Sequence, residues 1–261
     1  MVRSKSFFVN WTKYLRGSRS EESMKILYEV TPPSKRATRH ELDYVVKNAS
    51  SCGANEVDVT DSPTGESHSS SVAACVYIKT KYSLPVMCHI RTRDITLNAL
   101  RAMVRACAVW EIEHILLVMG EGGENTGLTP THALRVIREE KLLEGSTTKV
   151  GFVLQKGKSV EKKIRAKPDF LYTSPLTSVE ELEWAVELSR SQNFELFPSL
   201  IVPSKKNEVI LKRIGLQALS AERALTLATH ALRLTSNLVV ISPADPDEGF
   251  SFLKRLNRNG L

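Results

Sequence analysis

The sequence predicts a single (β/α)8 TIM barrel, an α/β fold in which eight parallel strands alternate with helices. Three observations predict it. Eight apolar, β-branched runs punctuate the 261 residues, at 26–30, 56–60, 85–90, 115–119, 149–154, 170–173, 196–202 and 238–241. Helical periodicity fills the gaps, so adjacent runs are mostly about thirty residues apart, the spacing that a strand plus a crossover helix requires. Most runs end on polar or acidic residues, and in such a barrel the chemistry sits at the strands' C-terminal ends. The expected division is a basic N-terminal arm or short helix over residues 1–24, docked through Phe7, Phe8 and Trp11, and the barrel over residues 25–261.

Composition narrows the function classes. A hydrophobic share of 42% and a charged share of 25% suit a globular, soluble chain. No apolar stretch reaches the ~20 residues that cross a bilayer, and the start lacks a secretory h-region, so a cytoplasmic protein without a membrane partner is expected. Cys52, Cys75, Cys88 and Cys107 show no CxxC spacing. They read as reduced thiols, three of them in helical patterns, and no metal site is expected. The formal net charge is +7. Its Lys and Arg residues are scattered, without an aromatic-interleaved basic motif, which argues against nucleic acid. A basic barrel mouth that attracts polyanionic small molecules accounts for the charge.

The elements follow in order. Thr38 with Glu41 predicts a capping box before the first helix. The first strand ends Tyr28-Glu29-Val30-Thr31-Pro32-Pro33, and alternation sends Glu29 to the face opposite Tyr28 and Val30. A glutamate inside an apolar strand is either ionised with a partner or neutral with a raised pKa, the state a general acid needs near neutrality. On the second strand Asp58 and Thr60 share the inward or rim face. Thr60 either donates to a ligand or is satisfied by the neighbouring strand.

The third strand ends His89-Ile90-Arg91-Thr92-Arg93-Asp94, a dense polar cluster that points to a site, although Arg93 and Asp94 can pair and cap the next helix. That helix is predicted over 98–110, with Leu100, Met103, Val104 and Cys107 on its buried stripe. The fourth strand ends Met119-Gly120-Glu121-Gly122-Gly123. Its glycines allow close ligand approach without completing a nucleotide motif. Thr129-Pro130 predicts a capped fourth helix. After the fifth strand only about two turns of helix fit between residues 157 and 167. Ser178 with Glu181 caps the sixth helix, and two helical patterns, 205–214 and 221–234, follow the seventh strand. Ser204 before Lys205 and Lys206 reads as a helix cap or as a phosphate contact. No lysine is expected at an inward strand position, which argues against a Schiff-base aldolase, and no Cys/His set suits a zinc methyltransferase.

Taken in order, these strand ends resemble the methylenetetrahydrofolate reductase family over nearly the whole chain from about Lys25. Tyr28-Glu29-Val30-Thr31-Pro32-Pro33 is similar to its F-E-x-x-P-P, and Val57-Asp58-Val59-Thr60 to its V-x-V-T. His89 to Asp94 takes the place of H-L-T-C-R-D, and Leu117 to Glu121 that of a hydrophobic run ending in G-D. Asp169 to Pro175 resembles A-D-F-I-x-T-Q-P. The resemblance implies reduction of a 5,10-methylene-tetrahydropterin to its 5-methyl form, with Glu29 as general acid. It also implies a flavin, FAD with FMN as an alternative, recharged by NAD(P)H. Thr60, His89, Met119, Gly120 and Glu121 match cofactor-contacting positions, and Glu121 and Ser174 match substrate-contacting ones. The chain departs from the family where Glu121 replaces an aspartate, where Ser174 replaces a glutamine, and in its abbreviated fifth unit. Those departures keep open a flavin-free enzyme taking hydride from NAD(P)H. They also keep open a non-catalytic barrel subunit of a one-carbon complex. A homo-oligomer or a partner subunit is compatible with either.

Overall fold

The computed structural model describes residues 24–34, 38–122, 125–157 and 159–258. The expected N-terminal arm, Met24 apart, lies outside the described residues. Strand and helix alternate: β1 (Lys25–Val30), α1 (Arg39–Ser51), β2 (Glu56–Val59), α2 (Ser71–Tyr82), β3 (Val86–Arg91), α3 (Leu97–Val109), β4 (His114–Val118) and α4 (Pro130–Glu139). The second half continues with β5 (Lys149–Leu154), α5 (Val160–Arg165), β6 (Phe170–Thr173), α6 (Val179–Gln192), β7 (Glu195–Phe197), β8 (Ser199–Ile201), α7 (Asn207–Arg213), α8 (Ala221–Thr235), β9 (Asn237–Ile241) and α9 (Pro246–Arg258). Among the described residues these strands pair in parallel, in the order β7-β6-β5-β4-β3-β2-β1-β9-β8. The predicted parallel barrel is therefore the observed fold. Among the described residues no helix is long and apolar enough to cross a membrane.

Among the described residues nine strands stand where eight runs were predicted, because the seventh is cut at Pro198. Proline has no N–H to donate to a ladder. Phe197 pairs with Tyr172 on one side of the cut, and Ser199 pairs with Val239 on the other. The two halves thus face different neighbours and close the ring. Ser199 ties them to β6: its N–H donates to Thr173 Oγ1 at 2.9 Å and its hydroxyl to the Thr173 carbonyl at 2.8 Å.

Alternation divides the strand residues into two cores. Tyr28, Val57, Val59, Cys88, Ile90, Ile115, Leu117 and Val240 face the helices. Leu27, Met87, Leu116, Phe170, Tyr172, Phe197, Val239 and Ile241 fill the barrel itself. Each such side chain contributes about 1.5–3 kcal/mol by leaving water. Gly151 of β5 leaves the room that Phe170 occupies: a Cβ there would lie 2.4 Å from the ring. The barrel is packed and not hollow, so its free space lies above the strand ends.

Local signals fare unevenly. Ser178, Thr129 and Ser220 accept first-turn N–H groups as caps, and α5 has only six residues. The α3 stripe buries Leu100, Val104 and Cys107, one residue earlier in its bounds than expected. Cys52 lies just past α1 instead of within a helix, and all four cysteines are free and buried. The capping box at Thr38 does not form. Its side chain makes no cap bond, and the Glu41 N–H is taken by the Thr38 carbonyl at 3.0 Å. Ser204 receives the Asn207 N–H at 3.1 Å, as a cap does, and its hydroxyl is also bonded to Asp245, so the phosphate reading finds no free hydroxyl there. Lys25 and Lys149 correct the expectation of no inward lysine. Both turn into the N-terminal end of the barrel to meet Glu195, at the end away from the strand termini that carry the site.

Candidate active site

Three adjacent strands bring the acids and the imidazole together. Parallel pairing sets Glu29 of β1 directly beside Asp58 of β2, and Asp58 beside Met87 of β3, two residues before His89. Side chains in register on one face of neighbouring strands stand about 4.8 Å apart. Asp58 is fully buried, and His89 and Tyr172 nearly so. Glu29 is only partly buried. The Tyr172 hydroxyl donates to Asp58 Oδ2 at 3.0 Å. His89 Nε2 lies 2.7 Å from Asp58 Oδ1, an ion-pair distance without the alignment of a hydrogen bond. The rings of His89 and Tyr172 meet edge to face at 5.9 Å.

This packing splits the ionisation states. Removal from water pushes the Glu29 carboxyl up to about 8, and the charge of Asp58 adds to the rise while His89 offsets part of it. Burial pulls His89 down, but Asp58 and Glu29 outweigh it and raise the imidazole to about 9. Burial and Asp58 likewise hold the Tyr172 phenol well above its usual range. At neutral pH the cluster therefore holds a protonated glutamic acid beside a charged histidine.

The rim is braced by Arg91, which is 3% exposed. Its guanidinium reaches the Ser62 carbonyl at 3.2 Å, the Gly122 carbonyl at 2.9 Å and both oxygens of Asp94. Its backbone N–H donates to Asp61 Oδ2 at 2.9 Å. One side chain thereby ties the loop after β2 to the loop after β4. Gly120 is required for this: its φ is +78°, and a Cβ would stand 2.8 Å from Arg91 Cγ. The pairing considered between Arg93 and Asp94 is replaced by Arg91 with Asp94. The reason is that Arg91 shares the inward face of β3 and curls back over its end.

The other sequence-predicted residues are spread more widely. Thr60 is buried, and its hydroxyl is directed to the Val30 carbonyl at 3.5 Å and Thr31 Oγ1 at 3.4 Å, the neighbouring-strand alternative. Glu121 is exposed on the loop after β4, and Met119 and Gly120 are partly buried below it. Ser174 is partly buried past β6, where its N–H donates to the Leu154 carbonyl at 2.9 Å. Two cavities open over the strand ends. One, of about 530 Å³, lies over β1 and is lined by Glu29, Pro32, His40, Tyr44, His68 and Ser242. The other, of about 670 Å³, lies over β4 and β5 and is lined by Met119, Gly120, Glu121, Thr129, Gln155 and Lys163. Lys162 also lines the second, and Lys163 donates to the Val153 carbonyl at 2.6 Å, its ammonium shifted down by burial.

Sequence reasoning placed Asp58 on the inner face and gave it no role, and it gave none to Tyr172. Alternation was the signal available for Asp58. Nothing local reveals that a tyrosine four strands away in the ring supplies its hydrogen bond.

Comparison with known proteins agrees with this architecture. Residues 14–139 match the family model described as methylenetetrahydrofolate reductase, which bears out the resemblance over that stretch. No curated protein matches the chain. Among solved structures, one similar in fold is an uncharacterised protein from Clostridium thermocellum that binds two copies of 5-methyl-5,6,7,8-tetrahydrofolic acid. It is 13% identical, with a TM-score of 0.63, over 91% of this chain and 96% of that one.

Proposed function

With residues 14–139 on the methylenetetrahydrofolate reductase model, we propose that the protein is an oxidoreductase that reduces a 5,10-methylene-tetrahydropterin of the folate type to its 5-methyl form. The observation that carries this reading is Glu29, a carboxyl held up to about 8 at the edge of a cavity between the C-terminal end of β1 and α1. A carboxylic acid that keeps its proton at neutral pH is what acid catalysis at a ring nitrogen requires. In this reading Glu29 delivers its proton to N10 as the bond from N10 to the bridging carbon breaks. The bridging carbon is left as an iminium on N5 and becomes the methyl group on receiving a hydride. His89 lies beneath as a fixed positive charge. The folate ligand of the Clostridium thermocellum protein supports the choice of substrate class.

The family implies FAD and NAD(P)H, and the donor set over β4 and β5 fits a dinucleotide. Lys162, Lys163, Thr129 and Thr131 line the larger cavity and suit a diphosphate, and Gly120 lets a flat ring approach the backbone. When bound, the cofactor supplies the hydride. In this assignment Met119 and Gly120 border the cofactor, whereas Thr60, directed to Val30 and Thr31, lines neither cavity. Glu121 and Ser174 stand at the rim for the polar edge of the substrate, and Glu121 also borders the cofactor.

The test is turnover of 5,10-methylene-tetrahydrofolate with NAD(P)H, with and without added FAD, in wild type and Glu29→Gln. The variant is expected to lose about 10²- to 10⁴-fold in kcat while substrate Kd stays within a few-fold. A wild type that binds the pterin and never turns it over would favour a non-catalytic barrel and end this reading. Full activity in Glu29→Gln would end the role of the acid.

A further inference from the structure

Asp58 stands at the unspecified position of V-x-V-T and Tyr172 at the unspecified position of A-D-F-I-x-T-Q-P, so neither motif names the contact that the fold makes between them. We propose, building on the reductase reading above, that Asp58 is the positioning residue of the site. Tethered by the Tyr172 hydroxyl, it holds His89 as an imidazolium and keeps the adjoining Glu29 carboxyl in its proton-bearing form.

The argument starts from the register. Glu29 and Asp58 are paired neighbours on one face of a parallel ladder. Two carboxylates so close, largely removed from water, do not both ionise, and one takes up a proton. Which one does is decided by partners. Asp58 has its Oδ2 on a phenol and its Oδ1 against an imidazole, and both contacts favour the anion. A fully buried carboxylate without them would be untenable. The proton therefore stays on Glu29, at the partly accessible edge of the cavity.

The groups that act on His89 are consistent with this. Glu29 faces it from β1, Asp58 from β2, Asp61 from the loop after β2, Cys88 from its own strand and Tyr172 from β6. Arg91 shares the inward face of β3 nearer the rim, its guanidinium turned to Asp94, Ser62 and Gly122, and Leu116, Val118, Ile201 and Ile241 are apolar members of the inner wall. Of these groups only Asp58 has a contact of ion-pair length with the ring.

The experiment is a pH titration of the ring resonances of histidine-labelled full-length protein without substrate, with the His89→Gln variant used only for assignment. In wild type the His89 midpoint is expected near 9. In Asp58→Asn it is expected to fall by more than about one pH unit. In the same variant the infrared carbonyl band of the protonated carboxyl, identified by its absence in Glu29→Gln, is expected to weaken at pH 7, burial alone still favouring the neutral form. A wild-type midpoint at or below about 6.5, the ordinary histidine value, would overturn the proposal without recourse to any variant. An unchanged midpoint in folded Asp58→Asn would overturn it as well. Because no substrate is present, these readings are separate from the enzymatic one. The expected shifts in a protein that never reduces a pterin would uphold the hold of Asp58 on both groups and end only the reductase reading.

Discussion

At the N-terminal floor of the barrel, Glu195 receives Lys25 and Lys149 at 2.7 Å each, whereas at the C-terminal mouth Glu29 stands beside Asp58. Burial alone would raise both acids. At the floor the two ammonium groups outweigh it and bring Glu195 down to about 2. At the mouth the second carboxylate reinforces it, and Glu29 rises to about 8. The histidines divide in the same way. His114 at the floor is packed edge-on against Phe170 and Phe197, and burial lowers it to about 4. His89 has Asp58 and rises to about 9. Identical side chains, both drawn away from water, thus take different charge states. The floor neutralises its charges in the manner of a structural ion pair. The mouth retains a proton and a positive charge at the end of the barrel that opens to ligands.

The largest effect expected from this contrast is on rate. Glu29→Gln removes the acid, while Glu195→Gln is expected to leave kcat within about tenfold of wild type, since it lies at the opposite end from the strand termini. Equal losses in steady-state assays of the two variants would erase the distinction between floor and mouth. The next effect is on stability. Glu195→Ala leaves Lys25 and Lys149 facing each other over an absent acid. Breaking a buried pair costs about 3–5 kcal/mol, discounted here to about 2 kcal/mol because both lysines are partly exposed. Denaturant unfolding measures it, and a loss below about 0.5 kcal/mol would make the floor network incidental.

Gly120→Ala sharpens the mouth side. The backbone at φ +78° and the 2.8 Å approach to Arg91 predict a cost of about 1–3 kcal/mol and release of the loop clasp. Unfolding midpoints together with proteolysis of the loop after β4 test this, and a neutral substitution would show that Arg91 gives way freely.

The pH dependence of stability is the smallest effect per unit, at most about 1.4 kcal/mol per pH unit for each group. The folded pKa of Glu195 lies below its unfolded value, so its contribution is complete above about 4.5 and is lost as pH falls toward about 2. Glu29 is the reverse. Its raised folded pKa makes stability fall as pH climbs from about 4.5 through about 8. His89 contributes fully below about 6.5, and its contribution is lost as pH rises through about 9. Stability curves of wild type and Glu29→Gln should therefore diverge between pH 4.5 and 8 and run parallel below that window. Parallel curves throughout would mean that Glu29 ionises freely in the folded protein.

Much of the barrel was legible because strand runs and helix caps are written in neighbouring residues. The runs at 149–154 and 170–173 coincide with β5 and β6, and Ser178 and Thr129 cap the helices they precede. The run at 196–202 was legible as a strand but not as two, although Pro198 was the visible cause. Thr38 failed as a cap because its own carbonyl supplies the bond, a choice that spacing cannot express. In the site, alternation alone turned Glu29 and Asp58 inward, the polar cluster at the end of the third strand pointed to His89, and the order of strand ends carried the family resemblance. The pairing of Arg91 with Asp94, and not of Arg93, depended on how one side chain folds back over a strand end.

By itself the sequence determined the repeating strand and helix periods, the inward face of each strand, and therefore which residues stand at the mouth. Those follow from local geometry, a period of two in strands and about 3.6 in helices. Only the closed ring decided the charges. Tyr172 reaches Asp58 across 114 positions of sequence, and ring closure is what brings β6 opposite β2. A pKa depends on every charge within a few ångströms, and those neighbours are fixed by the register of strands distant in the chain.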